Sequence, residues 1–100
     1  MSEVITEQQT TIKQNIKEPS LYKVIFLNDD ATPMEFVVDV LVHLFKHDLE
    51  RAKEIMLEVH TKGSAVVALL PYEIAEQKGI ETTALARQAG YPLHVKIEAE

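Results

Sequence analysis

Three adjacent polar residues, Asn28-Asp29-Asp30, separate an apolar run from a strong helix start. An amide and two carboxylates offer an acceptor-rich recess suited to an ammonium ion, because hydrogen bonds to a charged group contribute about 1.5–3 kcal/mol each. The plain alternative is a turn, since Asn and Asp bond their own backbone in loops. His60 lies one helical turn after Met56 at the edge of an apolar stripe, where a histidine is ordinarily a satisfied boundary residue. Met34 and Met56, with Val37 and Val59, would form an adaptable apolar cup if they met in space, and otherwise serve as flexible core filler.

The remaining reactive side chains are not spaced for catalysis. The chain has no cysteine, and Ser20 and Ser64 stand in no nucleophile-elbow context. His43 and His47 share the i, i+4 spacing of two ligands on one helix, but the pair reads as solvent-facing with no third ligand, and His60 and His94 add no zinc spacing. Neighbouring carboxylates in a loop make no acid–base pair without a substrate cleft. The expectation is a non-enzymatic chain with no catalytic residue, no metal and no cofactor.

Composition narrows the class further. One hundred residues, 46% of them apolar, support one domain with one core. With no cysteine the chain needs no oxidising compartment, and neither a secretory start nor a membrane-length apolar stretch is present, which predicts a soluble cytoplasmic protein. Sixteen acidic against ten basic residues, a net charge of −6, argue against nucleic acid, whose phosphates require a clustered basic surface. Protein or cationic partners suit it better, and a monomer is expected.

The elements that must position these side chains follow from pattern. Residues 1–19 are rich in Gln, Thr, Glu and Lys with isolated Val4, Ile5, Ile12 and Ile16, so they are read as a mobile extension that buries too little to order itself. The core domain then covers 20–100. Leu21 to Leu27 reads as a strand, and Thr32-Pro33-Met34-Glu35 as a capping box that opens a helix. Val37, Val40, Leu41, Leu44 and Phe45 give that helix an apolar face and carry it to near His47. Asp48 caps a second helix, with Ala52, Ile55, Met56 and Val59 inward, that stops at Gly63. Ala65 to Leu70 is a continuous apolar run, the pattern of a central strand. Pro71 opens a third helical region, doubtful in its middle at Gly79, that ends at Gly90. Leu93, Val95 and Ile97 alternate with polar residues as a closing strand. The order β-α-α-β-α-β predicts an α+β fold: a two-layer sandwich with a small three-stranded, mostly antiparallel sheet and about three helices on one face.

Taken together, Leu21-Tyr22-Lys23-Val24, Asn28-Asp29-Asp30-x-Thr32-Pro33-Met34-Glu35-Phe36-Val37, Met56-x-x-Val59-His60 and Ile74-Ala75-Glu76-x-Lys78 closely resemble the ClpS family of Clp protease adaptors, over roughly Pro19 to Glu98. The resemblance implies an adaptor that binds degradation substrates by a free α-amino group and a bulky first residue, Leu, Phe, Tyr or Trp. In that reading Asn28, Asp30 and His60 hold the ammonium, and Asp29 helps to orient the peptide backbone. Phe26, Leu27, Thr32, Met34, Val37, Met56, Val59 and Leu93 form the cup, with Met34 rejecting β-branched residues by clash. It further implies that Glu73 and Lys78 dock the N-terminal domain of a ClpA- or ClpC-type unfoldase and that the extension takes part in delivery. Ala31 departs from the family pattern, which usually has a larger residue there, and implies a more open rim. A vaguer likeness in layout, to the factor-recruiting domain of the ribosomal stalk, would imply contacts through an exposed basic helix, and none is evident.

Overall fold

The computed structural model describes residues 20–100; the extension expected over residues 1–19 lies outside them. The described chain runs β1 (Leu21–Leu27), α1 (Met34–His43), α2 (Leu49–Lys62), β2 (Ser64–Pro71), α3 (Tyr72–Gln88) and β3 (His94–Ala99). The sheet order is β2-β1-β3 with both pairings antiparallel, so the expected α+β sandwich is present and its central strand is β1. Val24 and Phe26 on β1, Ala65 and Val67 on β2, and Leu93 are buried with Val37, Val40, Leu41, Ala52, Ile55 and Val59 of the first two helices in one core. The alternate residues Lys23, Val66, Leu69 and Lys96 remain on the other face, with Val66 and Leu69 exposed.

The continuous apolar run in β2 has a different cause from the one expected. β2 is an edge strand, not a central one. Its register against β1 passes from Ala68 opposite Val24 to Val66 opposite Ile25, so Val67 is skipped, the signature of a β-bulge. The bulge turns Ala65 and Val67 inward before it and Ala68 and Leu70 after it, leaving Val66 and Leu69 outside. Two inward sets in different phase read, along the sequence, as an unbroken apolar segment.

His47 completes the bulge. Its Nε2 donates to the Val67 carbonyl at 2.7 Å, which places this half-buried ring against β2 rather than on a solvent-facing helix beside His43. α1 ends at His43, short of the expected His47. Lys46 adopts a positive φ of 63°, and the His47 N–H reaches back to Leu41 O at 3.0 Å, a left-handed closure of the helix end built without glycine. Leu44 and Phe45 continue the apolar stripe into this turn, and the Phe45 ring meets Phe26 edge-on at 5.7 Å.

α2 is bounded as the sequence indicates. Asp48 accepts from Arg51 N at 2.7 Å at its start, and Gly63 at φ 91° closes it. α3 is one unbroken helix of 17 residues. Its buried face is Ala75, Gly79, Thr82 and Ala86, small residues that let the helix lie close to β3, where a Cβ on Gly79 would meet Ile97 Cδ1 at 3.4 Å. No described helix is long and apolar enough to cross a membrane.

Candidate functional site

The site begins where β1 stops. Asn28 follows the strand, and its N–H donates to Gly63 O at 2.9 Å, pinning the strand end to the C-terminus of α2. That bond brings the last turn of α2, which carries His60, beside the loop 28–33. Within the loop, Asp29 Oδ1 accepts from the Ala31 N–H at 2.8 Å and the Thr32 N–H at 2.7 Å, while Oδ2 accepts from the Thr32 hydroxyl at 2.8 Å. The capping box therefore does not form. Thr32 turns its hydroxyl back to Asp29, Pro33 becomes the N-cap, and no side chain caps α1. A carboxylate three residues upstream is a stronger acceptor for that hydroxyl and cannot be matched by a reciprocal helix bond.

Burial would raise the Asp29 pKa. The Thr32 hydroxyl, the Thr32 and Ala31 N–H groups and the charge of Arg87 together outweigh it and hold the carboxyl below its ordinary value. Arg87, in the last turn of α3, also donates to Tyr91 O at 2.8 Å and Leu93 O at 3.0 Å. The Tyr91 ring in turn meets Phe36 of α1 edge-on at 5.1 Å, so α3 supports the start of α1 from behind. With both Asp29 oxygens engaged inside the loop, the outward acceptors are Asn28 and Asp30, both exposed like His60.

These groups rim a hollow of about 310 Å³. Asn28, Asp29, Asp30, Thr32 and His60 form its polar side, and Pro33, Met34, Val37, Met56 and Val59 its apolar side. Nine residues singled out in the sequence thus share one space, contributed by the β1–α1 loop, α1 and α2. Three do not line it. Phe26 and Leu93 are fully buried in the core that also holds Val37 and Val59, because they face inward from β1 and from just before β3. Leu27 pairs with Ser64 and His94 at the strand end. Pro33 was missed because proline reads as helix punctuation. Arg87 was also missed, although a cation in a helix's last turn is itself a signal that free carbonyls are near.

Elsewhere, Glu73 is exposed in the first turn of α3, and Lys78 pairs with Glu81 at 3.8 Å. Five residues of helix turn through 500°, which separates these two by about 140° around the axis. Among the described residues no group of three or more His, Cys, Asp or Glu is placed to hold a metal.

A three-stranded sheet backed by three helices, with an apolar hollow rimmed by amide, carboxylate and imidazole groups at one end of the sheet, defines a small α+β domain with one polar-edged recess. Residues 17–96 match the model of the family described as ATP-dependent Clp protease adaptor protein ClpS. The chain belongs to the ClpS family. It is 45% identical over 94 residues to the ATP-dependent Clp protease adapter protein ClpS of Sodalis glossinidius (strain morsitans), covering 94% of this chain and 87% of that protein. It is 46% identical over 95 residues to the protein of the same name from Leptothrix cholodnii, covering 95% and 80% respectively. The structure of Agrobacterium tumefaciens ClpS2 bound to L-phenylalaninamide is similar at a TM-score of 0.80 and 44% identity, over 83% of this chain and all of that one.

Proposed function

We propose that this chain is an adaptor that captures proteins by a free α-amino group and a bulky apolar first residue, Leu, Phe, Tyr or Trp, and delivers them to a Clp ATP-driven unfoldase and protease. The observation that carries this reading is that ammonium acceptors and an apolar recess share one hollow. Asn28, Asp30 and His60 take the ammonium, Asp29 fixes the loop that presents them, and Met34, Val37, Met56 and Val59 receive the side chain. L-Phenylalaninamide, the ligand of the similar Agrobacterium protein, has this chemistry in its smallest form: a free amine beside a large side chain. Met34 at the mouth disfavours β-branched residues, and exposed Ala31 leaves the rim open.

Magnitudes agree with a carrier that releases its cargo. Burying a Leu or Phe side chain contributes about 1.5–3 kcal/mol and each charge-assisted bond a similar amount. After association costs of about 4 kcal/mol or more this leaves at most about −8 kcal/mol, a dissociation constant of micromolar or weaker. The adaptor works without turnover of its own and as a monomer in the cytoplasm, a place consistent with a chain that has no cysteine to oxidise. Its partner surface is α3, with Glu73 and Lys78 meeting the N-terminal domain of a ClpA- or ClpC-type unfoldase from two sides of the helix.

Calorimetry with Leu-initial and Phe-initial peptides tests the site. Binding is expected to vanish on N-acetylation and to weaken as pH rises through the peptide's α-amino pKa of about 7.7–8.0. His60→Ala weakens it while the domain stays folded. Equal affinity for free and acetylated peptides removes the ammonium site.

A further inference from the structure

Among the described residues the sheet has two outer strands, and their edges are built differently. β3 carries His94, Lys96 and Glu98 at every second position, with Lys96 and Glu98 paired at 2.6 Å. Charges so placed discourage a further strand from adding to an edge. β2 has no charged residue from Ser64 to Pro71, and its Val66 and Leu69 are 41% and 46% exposed. An uncharged, apolar outer strand is a ready template for strand addition.

What β2 has in place of charge is His47. The bulge leaves Val67 without a partner on β1, so its carbonyl stands outside the ladder, and His47 Nε2 donates to it at 2.7 Å. Neighbouring strands lie about 4.7–4.9 Å apart, and an imidazole held at that carbonyl fills room that a further strand would need. The turn that carries the ring is itself strained, because Lys46 is left-handed at φ 63° without being glycine. Pro71 closes the far end of the same strand, where it has no N–H to offer.

We infer that His47 is a latch on the edge of β2, and that the partner it excludes is a second copy of this chain pairing through the same strand. The bulge makes β2 self-complementary. Ala65, Val67, Ala68 and Leu70 face the core, while Val66 and Leu69 face outward. An antiparallel two-fold centred between Val67 and Ala68 sets Val66 of one copy opposite Leu69 of the other on the open face, and Ala65 opposite Leu70 on the core face. Residues directly opposite in an antiparallel pair share a face. Without the change of phase at the bulge, this centre would set an outward residue against an inward one. The latch stands at that centre. Each copy carries a net charge of −6, so an uncharged strand is where two copies can approach with least repulsion. β2 leads directly into the first turn of α3, and a second copy on this edge would crowd Glu73. The latch keeps that turn clear, and it stands apart from the binding reading of the hollow.

The test measures molar mass by light scattering across a concentration series for the full chain, His47→Ala, His47→Asn and the double variant His47→Ala/Leu69→Lys, with circular dichroism to check that each is folded. The wild type is expected to keep the monomer mass throughout. His47→Ala, and His47→Asn with its shorter side chain, are expected to rise to twice that mass as concentration increases. Leu69→Lys on the His47→Ala background should return the mass to the monomer, since it puts a charge on the paired strand. Folded His47 variants that stay monomeric overturn the latch, and so does a dimer that survives Leu69→Lys or a wild type that already pairs. Nuclear magnetic resonance of the wild type gives a reading that needs no variant. The His47 Nε2 proton should exchange slowly and show a coupling across the hydrogen bond to the Val67 carbonyl; a freely exchanging ring proton without that coupling also overturns the inference.

Discussion

At Asp29 three short hydrogen bonds converge on one carboxylate, and the shape of the loop carrying Asn28 and Asp30 depends on them. Asp29→Ala removes all three acceptor contacts. Because the loop is open to water, the cost lies towards the low end for bonds to a charged group, about 1 kcal/mol. Equilibrium urea unfolding checks it. The folded-state pKa of Asp29 is depressed, so the stabilisation is complete above the unfolded carboxyl pKa of about 3.9 and is lost as pH falls through the depressed value. The gap between wild type and Asp29→Ala should therefore close in acid and stay constant at neutral pH. A gap that is flat across the whole acid range would show that the carboxylate's charge does not hold the loop. Peptide affinity should drop with the loop, since Asn28 and Asp30, the proposed ammonium acceptors on either side, lose their fixed positions.

Gly79 is the element-scale counterpart. Glycine inside a helix costs about 0.8–1.0 kcal/mol against alanine, and a Cβ there would meet Ile97 Cδ1 at 3.4 Å and Val95 Cγ1 at 3.6 Å, ordinary contact with flexible side-chain ends. Gly79→Ala should therefore raise the thermal midpoint, while Gly79→Leu, which must displace β3, should lower it; a lower midpoint for alanine would mean that β3 packs too tightly on the helix to admit even one methyl group. Gly79 left the third helix doubtful in sequence because its reason is the approach of β3, which no local pattern contains. Other elements sort the same way. Both ends of α2 were legible because Asp48 and Gly63 act on their own helix, and the end of β1 because Asn28 and Asp29 are turn residues by their own chemistry. The end of α1 was not, since Lys46 carries no preference for positive φ and the apolar stripe runs past the last helical residue. The bulge in β2 was hidden because its partner, His47, lies across the core. The hollow divides likewise: Met34 with Val37, and Met56 with Val59 and His60, are helix-face neighbours readable from spacing. Their meeting with Asn28 depends on its bond to Gly63 O, and only the family resemblance anticipated it.

For the whole molecule the separation of its two ends matters most. The hollow sits at the C-terminal end of β1, whereas Ser20, Tyr22, Tyr72 and Glu73 gather at the strand's other end, with the Tyr22 and Tyr72 rings edge-on at 5.0 Å. A seven-residue strand spans roughly 20 Å at about 3.4 Å per residue, so a partner seated near Glu73 leaves the hollow open to its cargo. Residues 1–19 join the domain at that same far end. Every described residue lining the hollow falls between Asn28 and His60. Deleting those nineteen residues should therefore leave the affinity for a Leu-initial peptide unchanged in calorimetry and abolish degradation of a Leu-initial protein by a reconstituted Clp unfoldase and protease. The two measurements separate capture from delivery: lost affinity would tie the extension to the hollow, and undiminished degradation would confine delivery to α3 and the folded domain.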